Sequence, residues 1–363
     1  MIIFGSPKRY LQGPDALHRI GEEIKRLGQH AVLLADRTVG EMIGTAAKQS
    51  CDAAGVTLTP IRFGGEITRA EVERLSSECG HLSVHVVVAA GGGKTIDAGK
   101  CLADKIGARL VTVPTVASND SPTSHIAVIY DENHKLVGVD KFGGNPDLVL
   151  VDTSIIAKAP AILLSAGIGD AVVKKFEVGQ CAAKNGTNMF GGHSPLTAVA
   201  LANVCYDILR KDAVGALEAV RHGKSDPALE RIVEACVLMS GLAFESGGLS
   251  ISHAMTRGLS AVKGPAEVLH GLQVAYGLLV QLQLEGRDAG FMADMRRFYR
   301  QTGLPVSLAE LNFKGSADDR LMIATLTNDA PHMKHFVRPL TPQDIVAAMD
   351  AVEAASLEAA GAA

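Results

Sequence analysis

The stretch from His85 to Asp97, HVVVAAGGGKTID, constrains this chain more than any other. Val86 to Ala90 is a short apolar run rich in β-branched residues, which reads as a buried strand. Gly91, Gly92 and Gly93 follow, and without a Cβ they let an anion such as a pyrophosphate approach the backbone N–H groups. Thr95 and Asp97 then open a helix whose positive dipole end faces the same anion. The spacing is neither the G-x-G-x-x-G fingerprint nor a Walker loop. Read alone, it is a phosphate cradle or simply a tight strand–helix turn.

The remainder up to about residue 160 repeats the pattern. Strands are expected at Ala31–Ala35, Val56–Ile61, Leu110–Val113, Ile126–Tyr130 and Leu148–Val151, with helices at Val39–Ala54, Arg69–Cys79 and after Asp97. Alternating strands and helices predict an α/β domain with a mostly parallel sheet, whose ligands sit beyond the carboxyl ends of the strands. After Lys158-Ala159-Pro160 the texture becomes helical. Helices are expected over 163–183, 196–210, 213–222, 228–245, 249–259, 268–284, 291–302 and 342–359. The expected organisation is thus an α/β domain over 1–160 and an all-α domain over 161–363.

Composition narrows the function classes. The 363 residues are 47% hydrophobic, which suffices for a large core, and carry a net charge of −4. That charge, five tyrosines and no tryptophan argue against nucleic acid, which calls for basic patches and stacking aromatics. No apolar run reaches the ~18 residues of a membrane span, and the N-terminus lacks a signal-peptide pattern. The six cysteines, Cys51, Cys79, Cys101, Cys181, Cys205 and Cys236, form no C-x-x-C pair and read as core residues of a reduced, cytoplasmic protein.

Several residues carry candidate chemistry. Asp36 ends a strand, where a carboxylate accepts from an adenosine ribose and repels a 2′-phosphate, favouring NAD over NADP. A helix N-cap is the plainer role, and Arg37 beside it would tolerate the phosphate. Thr115 to Ser124 is a loop dense in hydroxyls with one carboxylate, Asp120; it suits a site handling hydroxyls or phosphates, or a turn that satisfies itself. In the helical half, Asp170 follows AGIG, His253 lies in an otherwise apolar helix, and His270 begins another. One Asp and two His leave coordination positions open, as a catalytic zinc or ferrous site requires, although an isolated buried His is commonly structural. The PHMKH run at 331–335 has two histidines but reads as a solvated loop.

Taken together, these segments resemble the glycerol dehydrogenases of the metal-dependent alcohol dehydrogenase superfamily. The resemblance runs nearly end to end: SPKRYLQG at 6–13, FGGE at 63–66, Gly91–Asp97, Pro114–Ser124, AGIGD at 166–170, FESGGL at 244–249 and His270–Gly277. It implies a dehydroquinate-synthase-like fold in which Asp170, His253 and His270 hold Zn²⁺, with Fe²⁺ as the other candidate metal. It implies that Asp36, Gly92, Gly93, Lys94, Thr95, Asp97, Thr115, Ser118, Ser124, Ile126 and Tyr130 line an NAD site, and that Asp120 holds a substrate hydroxyl. Glycerol and NAD⁺ would then give dihydroxyacetone and NADH, in a homo-oligomer, often an octamer.

Iron-type relatives place a fourth ligand, His, one turn after the Asp; here that position is Lys174, which favours a three-ligand zinc site. Lys174 either turns away from the metal or helps hold an anionic group. Asn119 and His125 also depart from the family's pattern around Asp120. A polyol or 2-hydroxy-acid/2-oxo-acid oxidoreductase on the same scaffold is the near alternative, although Asp120 would repel an anion. A dehydroquinate-synthase-like lyase is the remote one, since it needs a pocket rich in Lys and Arg.

Overall fold

A computed structural model of the chain describes residues 1–132 and 135–361. Contacts gather these residues into two compact units, one of 5–160 with 219–241, the other of 1–4, 161–218 and 242–363.

The first unit contains strands β1 (Tyr10–Gly13), β2 (His30–Ala35), β3 (Thr57–Arg62), β4 (Val86–Gly91), β5 (Arg109–Pro114), β6 (Ile126–Tyr130), β7 (Leu136–Lys141) and β8 (Leu148–Asp152). Its helices before residue 160 are α1 (Ile20–Lys25), α2 (Arg37–Ala54), α3 (Arg69–Cys79), α4 (Gly93–Ile106) and α5 (Thr153–Ile156). Six strands form one sheet in the order β1-β8-β5-β4-β2-β3, and every pairing is parallel. Both faces are covered, as a parallel sheet demands. Ala31, Leu33, Val86 and Val88 join the core on the α2 side, while Val32, Leu34 and Val87 join the core that holds Ala98 and Leu102 of α4. That two-residue alternation explains why the strands read as unbroken apolar runs.

The structure corrects the expected elements in particular places. β6 does not enter the parallel sheet; it pairs antiparallel with β7, which alternation did not reveal. β1 was also missed, a four-residue edge strand with no fully buried side chain. α4 begins at Gly93 rather than after Asp97.

The later helices are α6 (Ala161–Val172), α7 (Lys174–Ala183), α8 (Leu196–Arg221), α9 (Pro227–Val233), α10 (Ser240–Gly247), α11 (Ile251–Leu259), α12 (His270–Leu284), α13 (Ala289–Thr302), α14 (Ala317–Asn328) and α15 (Pro342–Gly361). The expected 163–183 helix breaks at Val173. Those at 196–210 and 213–222 merge into α8, because Lys211-Asp212 contains no helix breaker. The 228–245 helix is interrupted by a π-helical turn at Glu234–Met239, and α14 was not anticipated. No single helix among the described residues is long and apolar enough to cross a membrane. All six cysteines are buried, and none is in a disulfide.

Candidate dinucleotide cradle and metal centre

In the sheet unit, the strand order turns at β2 and β4. α2 carries the chain from β2 across one face to β3, and α4 carries it from β4 across the other face to β5. Such a switch point opens a crevice at the carboxyl ends of the strands. Leu34 pairs with Ala89 and Gly91 with Pro114, so Asp36, Gly92–Gly93 and Thr115 lie together at that edge. Gly91 sits at φ 151°, and a Cβ there would come within 2.8 Å of the Thr95 hydroxyl, so the turn requires glycine. Gly92 caps α4 without any side-chain hydrogen bond. No Gly92 side chain covers the N-terminus of this 14-residue helix, which is the arrangement an anion site there requires.

The neighbouring candidates divide by what they already hold. Lys94 Nζ donates to Glu66 Oε2 at 2.8 Å and stands 5.9 Å from the Tyr130 ring centre. Burial, with Asp97 and Glu66 adding to it, pushes the Tyr130 hydroxyl up. Asp97 and Ser124 serve an internal network. The buried Lys100 Nζ donates to Asp97 Oδ1 (2.9 Å), Ser124 Oγ (2.8 Å), Ser121 Oγ (3.1 Å) and the Ile126 carbonyl (2.7 Å). Asp97 Oδ1 also accepts from Ser121 Oγ, and Oδ2 from Val128 N. Asp36 Oδ1 accepts from Val39 N at 2.8 Å and so caps α2, the plainer role considered for it, with the second oxygen outside that bond. Ser118 is half-buried and Thr115 buried. Asp120 Oδ2 accepts from Ser240 Oγ at 3.4 Å. Lys100 is the residue that sequence reasoning missed here. A lysine in the middle of a buried helix, three residues after an aspartate, was its only signal.

In the helical unit, three helices bring Asp170, His253 and His270 to one point, with one ligand atom from each within 4.8 Å of the others. Asp170 lies near the end of α6, His253 in α11 and His270 at the start of α12. Close backbone approach makes this possible: a Cβ on Gly271 would fall 1.9 Å from the Ala166 carbonyl oxygen. Glycine therefore lets α12 lie directly against α6.

His253 Nδ1 is 2.5 Å from Glu177 Oε2, and Glu177 Oε1 accepts the backbone N–H groups of Ser250 and His253. A carboxylate behind a histidine fixes its tautomer and turns Nε2 outward, here 3.2 Å from Asp170 Oδ1. Burial presses the His253 ring down, but Glu177 outweighs it and the ring rises to about 9. His270 is the exposed member of the three; crowding by the protein around it, and after that the charges of His253 and Lys174, push its ring down. Burial works to raise Asp170, yet Lys174 and His253 hold it well below the usual carboxylate range. Its Oδ2 is buried without a hydrogen-bond partner. An orphaned carboxylate oxygen beside two histidines suits a divalent cation.

Lys174 does not turn away. It is wholly buried, and Nζ lies 2.7 Å from Asp170 Oδ1, 2.8 Å from the Asp170 carbonyl oxygen and 3.3 Å from His253 Nε2. The 331–335 run is a 3-10 turn rather than a solvated loop, with His335 buried and bonded to the Leu249 carbonyl. It does not join the metal-ligand group.

Residues 7–153 match the family model described as iron-containing alcohol dehydrogenase. A glycerol dehydrogenase of Thermotoga maritima is 39% identical over 349 residues, 96% of this chain and 95% of that protein. A glycolaldehyde reductase of Halobacterium salinarum is 37% identical over 85% of each chain. The crystal structure of glycerol dehydrogenase from Schizosaccharomyces pombe superposes with a TM-score of 0.94 at 33% identity, covering 99% of this chain and 92% of that one. Identity at this level, spread over nearly the whole chain, goes beyond a shared fold, and the chain belongs to the iron-containing alcohol dehydrogenase family of oxidoreductases.

Proposed function

We propose that the chain is an NAD-dependent glycerol dehydrogenase that takes glycerol and NAD⁺ to dihydroxyacetone, NADH and a proton. The observation that carries the proposal is the convergence of Asp170, His253 and His270 from three helices, with Glu177 behind His253. The glycerol dehydrogenases among its relatives supply the substrate class. Asp170, His253 and His270 would hold the metal, zinc in preference to iron because the i+4 position is a lysine. When bound, such an ion polarises a substrate hydroxyl and lowers its pKa.

The chain's own residues do the rest. Glu177 accepts from His253 Nδ1–H and so turns Nε2 towards the metal position, where it would ligate on giving up its proton. His270 offers a ring nitrogen from the exposed start of α12. The Gly92–Gly93 cradle and the first turn of α4 bind the pyrophosphate of the cofactor, with Lys94, Thr95, Thr115, Ser118, Ile126 and Tyr130 around it. Asp36 accepts from its ribose, and Asp120 accepts from a substrate hydroxyl. Asp97 and Ser124 act at one remove, through the Lys100 network that shapes the loop. The reduced, buried cysteines suit the cytoplasm. We propose a homo-oligomeric assembly, an octamer, which light scattering measures directly.

The test is NADH formation from NAD⁺ and glycerol with protein stripped by chelator and then reloaded with Zn²⁺. Activity lost on stripping and regained with zinc supports the reading. A 2-hydroxy-acid or 2-oxo-acid substrate is the second reading, favoured by the Lys174 ammonium beside the ligand cluster. A reloaded enzyme that ignores glycerol and reduces a 2-oxo acid with NADH would replace the first reading with the second.

A further inference from the structure

We infer that Lys174 is a tethered cation that holds the ligand cluster together in the metal-free protein and has to leave it for a divalent ion to bind. The inference rests on the proposed metal role of Asp170, His253 and His270. Its basis is a shared set of residues: Lys174 Nζ already contacts Asp170 Oδ1 and His253 Nε2, and so occupies two of the three side chains that a metal would take.

The lysine is built into that position. It starts α7 just past the break at Val173, one turn after Asp170, and no part of its side chain reaches solvent. The Asp170 carbonyl anchors Nζ as well, and the Phe244 ring lies 5.9 Å away on another helix. A buried carboxylate left without a counter-ion is destabilising, so the ammonium stabilises the metal-free fold. For the same reason it opposes metal, because a divalent ion on Asp170 and His253 would stand against an ammonium in a poorly screened interior. The lysine thus weakens metal binding while making the metal-free protein durable, an exchangeable site rather than a permanent one.

The experiment measures Zn²⁺ affinity by competition with a chromophoric chelator, together with the melting temperature of the metal-free protein. Wild type is compared with Lys174→Thr, Lys174→Gln and Lys174→Arg; the Gln variant keeps polar contact with Asp170 without charge, should the Thr variant fail to fold. The expected result is Zn²⁺ bound at least tenfold more tightly by the Thr or Gln variant, a lower metal-free melting temperature, and weak binding retained with Arg. Equal or weaker Zn²⁺ binding in the neutral variants overturns the inference and leaves the metal site standing. Failure of wild type and every variant to bind Zn²⁺ overturns both the inference and the metal reading beneath it.

Discussion

Replacing Lys100 with methionine tests how the cofactor loop is held. The ammonium is 1% exposed on its side chain and bridges α4 to the loop through Asp97, Ser121, Ser124 and the Ile126 carbonyl. Methionine fills much of the same volume but removes the charge and the three N–H donors that the four acceptors share. Breaking a buried ion pair from one side costs about 3–5 kcal/mol. Asp97 would keep Ser121 Oγ at 2.6 Å and Val128 N at 3.0 Å, which puts the loss near about 3 kcal/mol. For a unit of this size that corresponds to a fall of roughly 6–12 °C in melting temperature. Calorimetry on the metal-loaded protein measures it, and the KM for NAD⁺ rises in parallel because the loop loses its anchor. The double variant Lys100→Met/Asp97→Leu, which removes both charges, recovers a large part of the loss. A drop below about 2 °C, or a double variant no better than the single one, would refute the reasoning.

Three other perturbations follow from the geometry. Gly271→Ala places a methyl 1.9 Å from the Ala166 carbonyl oxygen and forces α12 off α6; overpacking of about 3 kcal/mol, read as a lower melting temperature, accompanies weaker Zn²⁺ binding in chelator competition. Glu177→Gln presents an amide to His253 Nδ1, which favours the tautomer with its proton on Nε2, so Zn²⁺ affinity falls by about 10–100-fold in the same assay. The third concerns acid. Burial first, then the charge of His253, holds His332 down at about 4, below an unfolded value of ~6.5. A His whose folded value is depressed contributes nothing adverse above ~6.5; as pH falls from there towards 4, the unfolded chain takes up the proton first and stability is lost. The ring is partly exposed, so the loss is discounted to about 2 kcal/mol, and His332→Gln flattens that part of a denaturation-versus-pH curve.

What the sequence made legible follows from which forces are local. A parallel strand buried on both faces has to be apolar throughout, and β2, β4, β5 and β8 were readable within a residue or so of each end. The glycine turn was readable because a positive φ and a close hydroxyl admit no other residue at 91. β1 and β7 escaped because their burial is partial, and partial burial leaves neither a solid apolar run nor a clean alternation. The membership of 219–241 in the sheet unit depends on contacts such as Gln12 with Glu230, more than two hundred residues apart, and no local signal carries that. Asp97 and Ser124 were assigned to the NAD site by resemblance to the family, and both also bond Lys100. Spacing could not tell a group aimed at a ligand from one aimed at Lys100, since both are polar and both lie at the strand ends.

The metal cluster shows where a stricter reading of local periodicity would have gone further. Asp170, Lys174 and Glu177 stand at i, i+4 and i+7, a spacing that puts three charges on one helical stripe and survives the break at Val173. Two acids and one base on a stripe flanked by apolar residues leave a net negative charge in the interior, which a buried chain cannot leave uncompensated. One further cation must come from elsewhere in the fold, and a histidine is the side chain able to supply it and later release it. His253 fills that role from α11, lying against Glu177 on one ring nitrogen and against Asp170 and Lys174 on the other. The stripe alone therefore calls for a partner of positive charge, metal or histidine. Which histidine answers is decided by the glycine-mediated approach of the helices, which no spacing within one helix contains.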